Sequence, residues 1–392
     1  MANAQDVTII GAGPAGLSLA IALADAGFGV TVVEQLPRAV LADPAPDGRE
    51  IALTHRAVDI LKSLGMWQRF PDADISPIRE ARVIDGKSPH FLGFDTRGTQ
   101  QTELGYLVPN NVIRKAAFEV ASAMPAIEVI SGVAVSGVAT TTEAAEVRLA
   151  DGRVLSAPLM VAADSRFSDA RRRMGIGADM RDFGRTVIVC RLSHELPHEG
   201  IAHECFHYGR TLAVLPLNGL MSSAVITLSA DQANAMMQIP EAEFGKLVSE
   251  QFGSRLGAMQ LVGKRHSYPL VAVYAQRFVA HRFALLGDAA VGMHPVTAHG
   301  FNCGLYGVES LTRAVRGARA AGRDIGSTAV LARYQSEHRR ATRPIYLGTN
   351  VLVGLFTDDQ MPARFLRSAV LRLANRLPPL KAGITRQLTG RA

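Results

Sequence analysis

The first 34 residues carry two short β-branched runs separated by a longer apolar segment. Residues 6–10 and 30–33 have the length and composition of strands, and residues 14–26 between them are typical of a helix that ends at Gly27. Residues 7–24 are uncharged and long enough to suggest a membrane span, but the glycines and proline within them favour two short elements. The pattern therefore predicts strand, turn, helix and strand, the βαβ unit of a parallel sheet.

The rest of the chain mixes helical and strand-like patterns. Helical periodicity recurs in residues 52–64, 111–124, 241–252 and 300–318. Strand-like patterns occupy residues 78–103, 129–138, 146–149, 186–228 and 283–286. We expect one or two antiparallel hairpins in the first of these strand-like segments, and a small β-meander in the second and third.

Together these patterns predict an α/β protein in which a nucleotide-binding domain is interrupted by a second domain. An apolar strand opens the chain, another ends at Gly287-Asp288, and β-rich sequence lies between them. We expect a discontinuous Rossmann-like domain from residues 1–75, 105–180 and 270–335. The remaining residues form an inserted antiparallel β-sheet domain for the substrate (76–104 and 181–269) and a C-terminal helical region (336–392).

The composition is that of an ordinary globular protein. The 392 residues are 48% hydrophobic and 20% charged. Three scattered cysteines cannot form a disulfide framework, and the N-terminus lacks the basic segment of a secretory signal, so we expect a cytoplasmic protein. The net charge is +7, but only 6% of the residues are aromatic and no basic run interleaves with them, so nucleic acid is not an expected partner.

A glycine-rich motif joins the first strand to the first helix, and it reads Gly11-Ala12-Gly13-Pro14-Ala15-Gly16. Gly11 permits the tight turn, Gly13 lets the backbone approach a pyrophosphate, and Gly16 lets the helix pack closely on the strand. The N-terminus of the helix then faces the negative charge of the phosphates. Glu34 ends the second strand, where a carboxylate can accept hydrogen bonds from a ribose. These residues predict a dinucleotide site.

A second motif, near residue 290, indicates which dinucleotide binds. A nicotinamide dehydrogenase would have a separate catalytic domain, whereas FAD requires another contact far along the chain. Gly287-Asp288 predicts that contact, because an aspartate after a strand can bind ribityl hydroxyls. His294-Pro295 follows, and then a helix start whose backbone can approach a flavin ring, Gly300-Phe301-Asn302-Cys303-Gly304. The alternative is a strand, a turn and a helix with an aspartate cap.

With these motifs, the sequence resembles the class A flavoprotein aromatic hydroxylases over essentially its whole length. A third family motif has its counterpart in residues 163–171, where Asp164, Ser168 and Arg171 match and Ser165 replaces the usual glycine. In the family this segment takes part in binding flavin and pyridine nucleotide. The resemblance implies FAD as the cofactor, O₂ as a reactant, and NAD(P)H or another electron donor.

Within that family, the sequence is most similar to the ring hydroxylases of ubiquinone biosynthesis. The likeness lies in residues 47–53, in residues 294–302 and in the C-terminal tail. Ala298 and His299 stand where glycine and glutamine are usual, and this variant resembles the demethoxyubiquinol hydroxylases of the UbiM type.

The motifs and the resemblance together give the residues expected to bind FAD. They are Gly11, Gly13, Pro14, Ala15, Gly16, Glu34, Arg49, Asn111, Arg114, Asp164, Gly287, Asp288, Pro295, Gly300, Phe301 and Asn302. Arg114 suits the FAD phosphates because a guanidinium can bind a phosphate through two hydrogen bonds. The alternative for Arg114 is an exposed arginine on a helix.

The resemblance implies hydroxylation of a prenylated phenol or quinol through a C4a-hydroperoxyflavin. His299 is the candidate catalytic residue, because an imidazole can deprotonate a phenol near neutral pH or hydrogen-bond the flavin. A structural role for His299 is the alternative. Two other functions stay open: a flavin-dependent reductase of isoprenoid double bonds, and a non-catalytic FAD-binding subunit of a quinone-biosynthesis complex.

Residues 203–207 spell HExxH, the pattern of zinc proteases, but their surroundings predict strands. Residues four apart on a strand are about 13 Å apart, too far to share one metal ion. We therefore predict no metal site.

The basic residues concentrate at the C-terminus. Residues 361–392 contain seven lysines and arginines and no acidic residue. One interpretation is a helix docked on the protein core, and the other is peripheral contact with anionic lipid on the inner face of the bacterial membrane.

Overall fold

A computed structural model describes residues 5–85, 91–97, 100–207, 210–293 and 299–357. Within these ranges the strands are β1 (Val7–Ile10), β2 (Val30–Glu34), β3 (Glu50–Leu53), β4 (Ser76–Ile78), β5 (Glu80–Asp85), β6 (Phe91–Asp95), β7 (Gly105–Pro109), β8 (Ile127–Ser131), β9 (Val135–Thr140), β10 (Ala145–Leu149), β11 (Val154–Ala157), β12 (Leu159–Ala162), β13 (Ala178–His194), β14 (Ile201–His207), β15 (Arg210–Leu217), β16 (Met221–Ser229), β17 (Met259–Ala275), β18 (Val279–Ala280), β19 (Phe283–Leu285) and β20 (Val291–Gly292). The helices are α1 (Pro14–Asp25), α2 (Arg38–Ala42), α3 (His55–Ser63), α4 (Asn110–Ser122), α5 (Asp169–Arg173), α6 (Ala230–Gln238), α7 (Glu241–Gln251), α8 (Gly300–Ala320) and α9 (Thr328–Thr357).

The largest core surrounds a six-stranded sheet with the order β18-β19-β12-β1-β2-β8. All its pairs are parallel except the pair of β18 with β19. Strands β1 and β12 are buried along their whole length, because helices cover the sheet, as parallel sheets require. The predicted βαβ unit is confirmed in β1, α1 and β2, and residues 7–24 form a strand and a helix.

The second large unit is an eight-stranded sheet with the order β20-β17-β13-β16-β15-β14-β5-β6. Its pairs are antiparallel except that of β14 with β5. Helices α6 and α7 cover one face through an apolar cluster that includes Phe244, Val248 and Phe252. The other face turns toward a small sheet, β3-β7-β4, and toward the first large sheet through the contacts described below.

Several predicted element bounds were wrong. Residues 52–64 were expected to be helical, but Ala52 and Leu53 belong to β3, and the hydroxyl of Thr54 caps α3 by accepting the N–H of Ala57 at 3.2 Å. Residues 129–138 were expected in the meander, but a turn at Gly132, with φ of 79°, divides them. The first part, β8, joins the parallel sheet beside β2, and only β9 joins the meander with β10 and β11.

The last described helix, α9, spans Thr328–Thr357. Within the described part of the chain, no helix combines the length and apolarity needed to cross a bilayer. The basic segment 361–392 lies outside the described residues. The domain bounds given above stay a prediction.

Two buried histidines predict how stability depends on pH. Burial lowers the pKa of His338 from 6.5 to about 4, and burial beside Arg82 and Arg255 does the same for His203. The unfolded chain binds protons on these rings below pH 6.5 while the folded protein does not, so stability is lost as the pH falls from 6.5 toward 4. At pH 5 we expect a loss of about 2 kcal/mol per histidine.

Thermal melts at pH 7 and pH 5 check this expectation. Acidification should lower the melting temperature of His338→Leu less than that of the unmodified protein, and His281→Leu, at an exposed position, should behave like the unmodified protein. An equal drop in the melting temperature of all three proteins would contradict the lowered pKa of His338.

Candidate active site

The turn between β1 and α1 has the geometry that its glycines predict. Gly11 has a φ of 106°, and a Cβ placed on it would lie 2.5 Å from the carbonyl oxygen of Ala163. A Cβ on Gly16 would lie 2.0 Å from the carbonyl oxygen of Gly11. A Cβ on Gly13 would meet no atom of the described residues within 4 Å, and none of their side chains caps the first turn of α1. This open turn can receive an anion.

Glu34 lies beside this turn, as predicted. One of its carboxylate oxygens accepts the N–H of Ala12 at 2.8 Å, and the other accepts the N–H of Leu36 at 3.0 Å. The carboxylate therefore fixes the end of β2 against the glycine-rich turn, at the position where a ribose would follow the pyrophosphate.

The motif near residue 290 packs directly against the glycine-rich turn. Gly287 has a φ of 58°, and a Cβ on it would lie 3.0 Å from the Cβ of Ala15. A Cβ on Gly304, in α8, would lie 3.6 Å from the same atom and 3.7 Å from the Cα of Gly287. Two stretches far apart in the sequence therefore meet at the N-terminus of α1, and the small residues make the approach possible.

A buried arginine joins the motif of residues 163–171 to the motif near residue 290 by a hydrogen bond. Arg171 is 2% exposed and donates hydrogen bonds to the carbonyl oxygens of Ala289 at 2.8 Å and Arg166 at 3.1 Å. Burial lowers the pKa of Arg171, although nearby Asp164 acts to raise it. Asp164 itself accepts the N–H of Ala170 at 3.3 Å at the start of α5. The three predicted motifs thus form one connected structure.

Ser165, which replaces the family's glycine, causes no backbone strain. It is not among the described non-glycine residues with positive φ. Its hydroxyl accepts the N–H of Phe167 at 3.2 Å, which stabilises the turn that follows.

Asp288 forms an ion pair that the sequence did not predict. Its carboxylate lies 3.1 Å from the guanidinium of Arg166, which also donates to the carbonyl oxygen of Val271 on β17. In the sequence, Arg166 lies between two residues that match the family motif, Asp164 and Ser168, and this position alone could have suggested a role in the site.

Arg49 also belongs to a compact polar group. Its guanidinium pairs with Asp47 at 2.5 Å and lies over the ring of Tyr268, on β17. Burial acts to raise the pKa of Asp47, but the hydrogen bond and charge of Arg49 outweigh it and hold that pKa below its usual value. Asn110 donates to Asp47 at 2.7 Å, and the hydroxyl of Tyr268 donates to its carbonyl oxygen. Asn110 makes a side-chain contact with this group, and the assignment of its neighbour Asn111 to FAD stays a prediction.

Arg114 lies in the first turns of α4, close to this group along the chain. Its side chain is half-buried and has no hydrogen-bond or ionic partner among the described residues. It is available for a phosphate, and that assignment stays a prediction.

Glu50, the first residue of β3, connects this region to the eight-stranded sheet. Its side chain is 1% exposed and accepts a hydrogen bond from Arg191, on β13, at 2.8 Å. Burial raises the pKa of Glu50, and the charge of Arg191 partly offsets that effect. The pair fixes one edge of the space between the two sheets.

The start of α8 is anchored to β3 and α3. Asn302 is 1% exposed, accepts the N–H of Thr54 at 3.0 Å and donates to the carbonyl oxygen of Ala52 at 2.8 Å. His299 is 6% exposed, immediately precedes α8, and accepts the N–H of Cys303 through its carbonyl oxygen. A Cβ placed on Gly300 would meet no atom of the described residues within 4 Å. Pro295, with its neighbours 294–298, lies outside the described residues.

The HExxH segment lies on β14, so the predicted strand is confirmed. The His203 ring packs edge-on against Phe252 at 5.1 Å, on the face covered by α6 and α7. Among the described residues, no group of three potential ligands is placed to hold a metal ion.

Comparison with known proteins agrees with this geometry. A family model described as FAD binding domain matches residues 4–345. The chain belongs to this FAD-binding family. The flavoprotein is 46% identical to ubiquinone hydroxylase UbiM of Neisseria meningitidis, over 98% of this chain and 85% of that protein. It is 35% identical to ubiquinone hydroxylase UbiL of Rhodospirillum rubrum, over 98% of this chain and 89% of that protein.

Solved structures show the same fold. That of p-nitrophenol 4-monooxygenase PnpA from Pseudomonas putida matches with a TM-score of 0.78 and 20% identity, covering 99% of each chain. The predicted α/β fold with a Rossmann-like FAD-binding part and an antiparallel sheet is thereby confirmed. The residues of the open turn fit FAD, because the uncapped helix and the space at Gly13 suit a pyrophosphate.

Proposed function

We propose that this flavoprotein is a monooxygenase that hydroxylates the aromatic ring of a prenylated quinol in ubiquinone biosynthesis. The observation that carries the proposal is the packing of Gly287 and Gly304 against Ala15, which joins the two FAD motifs into one site. The 46% identity to a ubiquinone hydroxylase over nearly the whole chain supports the substrate class. The Ala298-His299 variant supports demethoxyubiquinol as the intermediate that is hydroxylated.

In this proposal, each part of the site has a role in holding the cofactor. The N-terminus of α1 and Gly13 bind the pyrophosphate, Glu34 binds a ribose, and Asp288 binds the ribityl chain. Arg49 and Arg114 supply positive charge near the phosphates. When bound, FAD supplies the chemistry that activates O₂ and passes one oxygen atom to the ring.

The segment that starts α8 acts on the substrate side. Asn302 holds Gly300 and Phe301 in place against β3, so that the backbone there supports the ring of the cofactor. His299 removes the proton of the substrate hydroxyl, which makes the ring carbon more nucleophilic. Burial of this segment keeps bulk water away from the reacting atoms.

We further propose peripheral contact with the membrane. A prenylated quinol resides in the bilayer, and the seven basic residues of 361–392 can attract anionic lipid. Assembly with other quinone-biosynthesis enzymes would likewise bring the protein close to its prenylated substrate.

Quinone profiling of a strain that lacks the gene tests the proposal. We expect ubiquinone to disappear and demethoxyubiquinone to accumulate, because the missing step adds a ring oxygen. Restoring the gene should reverse both changes. Accumulation of a fully oxygenated ubiquinone with an altered prenyl chain would instead indicate a reductase. Loss of activity in a partner enzyme, with no substrate turnover by the purified protein, would indicate a non-catalytic subunit.

A further inference from the structure

Glu204 lies on the face of the eight-stranded sheet that is turned away from α6 and α7. Its neighbours on β14, His203 and Cys205, both contact the residues of those helices. Since side chains alternate along a strand, Glu204 points to the opposite face. It pairs in register with Val83 on β5 and with Ala213 on β15.

That face packs against the small sheet β3-β7-β4, whose strand β3 contacts Asn302 at the start of α8. Val83, Ala202 and Leu215, next to Glu204, pack in one apolar cluster with Ala52 of β3. The carbonyl oxygen of Ala52 accepts the side-chain hydrogen bond of Asn302 at the start of α8. Glu204 therefore lies on the face of the sheet whose apolar cluster extends to β3, the strand that anchors the start of α8.

Among the described residues, no group near Glu204 compensates a charge on its carboxyl. No hydrogen-bond or ionic partner is found for its side chain among the described residues, and its register neighbours are apolar. The side chain is nonetheless partly accessible, so a ligand can reach it. Burial raises the pKa of Glu204 to about 8, so the carboxyl is neutral at physiological pH and can both donate and accept a hydrogen bond.

We propose that the carboxyl of Glu204 hydrogen-bonds an oxygen substituent of the ring substrate and thereby determines which ring carbon faces the flavin. The inference rests on the proposed hydroxylase function. A prenylated quinol presents an apolar body with a few hydroxyl and methoxy oxygens, so one polar group among apolar neighbours can orient it. An unpartnered polar group on such a face is costly to folding, and substrate recognition explains its presence.

The test compares Glu204→Gln with Glu204→Met in the FAD-loaded protein, using a short-chain demethoxyubiquinol and a reduced electron donor. Glutamine keeps a donor and an acceptor, and methionine keeps only the volume. We expect Glu204→Met to raise KM at least tenfold and to divert O₂ into H₂O₂, and Glu204→Gln to stay within threefold of the unmodified enzyme. FAD content should be unchanged in both, and the melting temperature of Glu204→Met should rise or stay the same, because the unpartnered carboxyl is removed.

Two further variants keep the test decisive. Ala213→Leu adds volume beside the carboxyl of Glu204 without changing that group, and it should also raise KM. Glu243→Gln, exposed on α7, should have no effect. Failure of the unmodified enzyme to hydroxylate the substrate would refute the proposed function itself. Normal KM and normal coupling in Glu204→Met, in an enzyme that does hydroxylate, would refute only the role of Glu204. An equal rise of KM in Glu204→Gln and Glu204→Met would refute a hydrogen bond between the neutral carboxyl and the substrate.

Discussion

Gly13→Val is expected to raise the dissociation constant for FAD by at least about a hundredfold while leaving the protein folded. Gly13 has a φ of −71°, which valine can adopt, and a Cβ there meets no atom within 4 Å in the described part of the chain. The added methyl groups would instead occupy the space that the pyrophosphate needs beside the first turn of α1. Flavin absorbance of the purified protein and titration of the apoprotein with FAD measure the effect.

Two glycine variants serve as controls for this prediction. Gly317→Ala, at an exposed position in α8 with no neighbouring atom, should bind FAD normally and be stabilised by about 0.5–1 kcal/mol. Gly16→Ala should impair folding as well, because its Cβ would lie 2.0 Å from a backbone oxygen. Normal FAD loading of Gly13→Val would show that the pyrophosphate binds elsewhere.

Asn302→Leu is expected to destabilise the protein by about 3 kcal/mol and to reduce kcat/KM by at least about a hundredfold. Leucine leaves the N–H of Thr54 and the carbonyl oxygen of Ala52 buried without their partner. The start of α8 then loses its attachment to β3, and both His299 and Gly300 move with it. Denaturant unfolding and steady-state kinetics measure the two effects.

Asn218→Leu is the matched control. Asn218 donates to three backbone carbonyl oxygens between residues 72 and 75, but on the exposed side of the molecule. Its replacement should lower stability and leave FAD affinity and kcat/KM within threefold of the unmodified enzyme. If Asn302→Leu lowered activity no more than Asn218→Leu, the anchoring role of Asn302 would be refuted.

The sequence predicted the parts of the fold in which backbone chemistry restricts the choice of residue. The turn at Gly11 and the close approach at Gly16 allow no side chain, so the βαβ unit was recognisable at once. The Gly287-Asp288 pair after a buried strand was also recognisable, because the backbone at Gly287 has a positive φ that favours glycine. Strand β14 was predicted from its neighbours in spite of the HExxH pattern.

Other features depend on partners that are distant in sequence. The contacts of Asn302 with Thr54, of Arg166 with Asp288 and of Arg191 with Glu50 arise from tertiary packing, and no local pattern encodes them. Residues 50–53 are apolar enough for either a strand or the start of a helix, and only pairing with β7 decides between them. Helix α6 was missed because its nine residues are mostly small or polar.

The most direct test of the central claim is the fate of molecular oxygen. FAD-loaded protein is supplied with a reduced electron donor, a short-chain demethoxyubiquinol and ¹⁸O₂, and the product is analysed by mass spectrometry. We expect one ¹⁸O atom in the ring of the product and oxygen uptake that depends on the substrate. Recovery of all the consumed oxygen as H₂O₂, with the quinol ring unlabelled at saturating substrate, would contradict it.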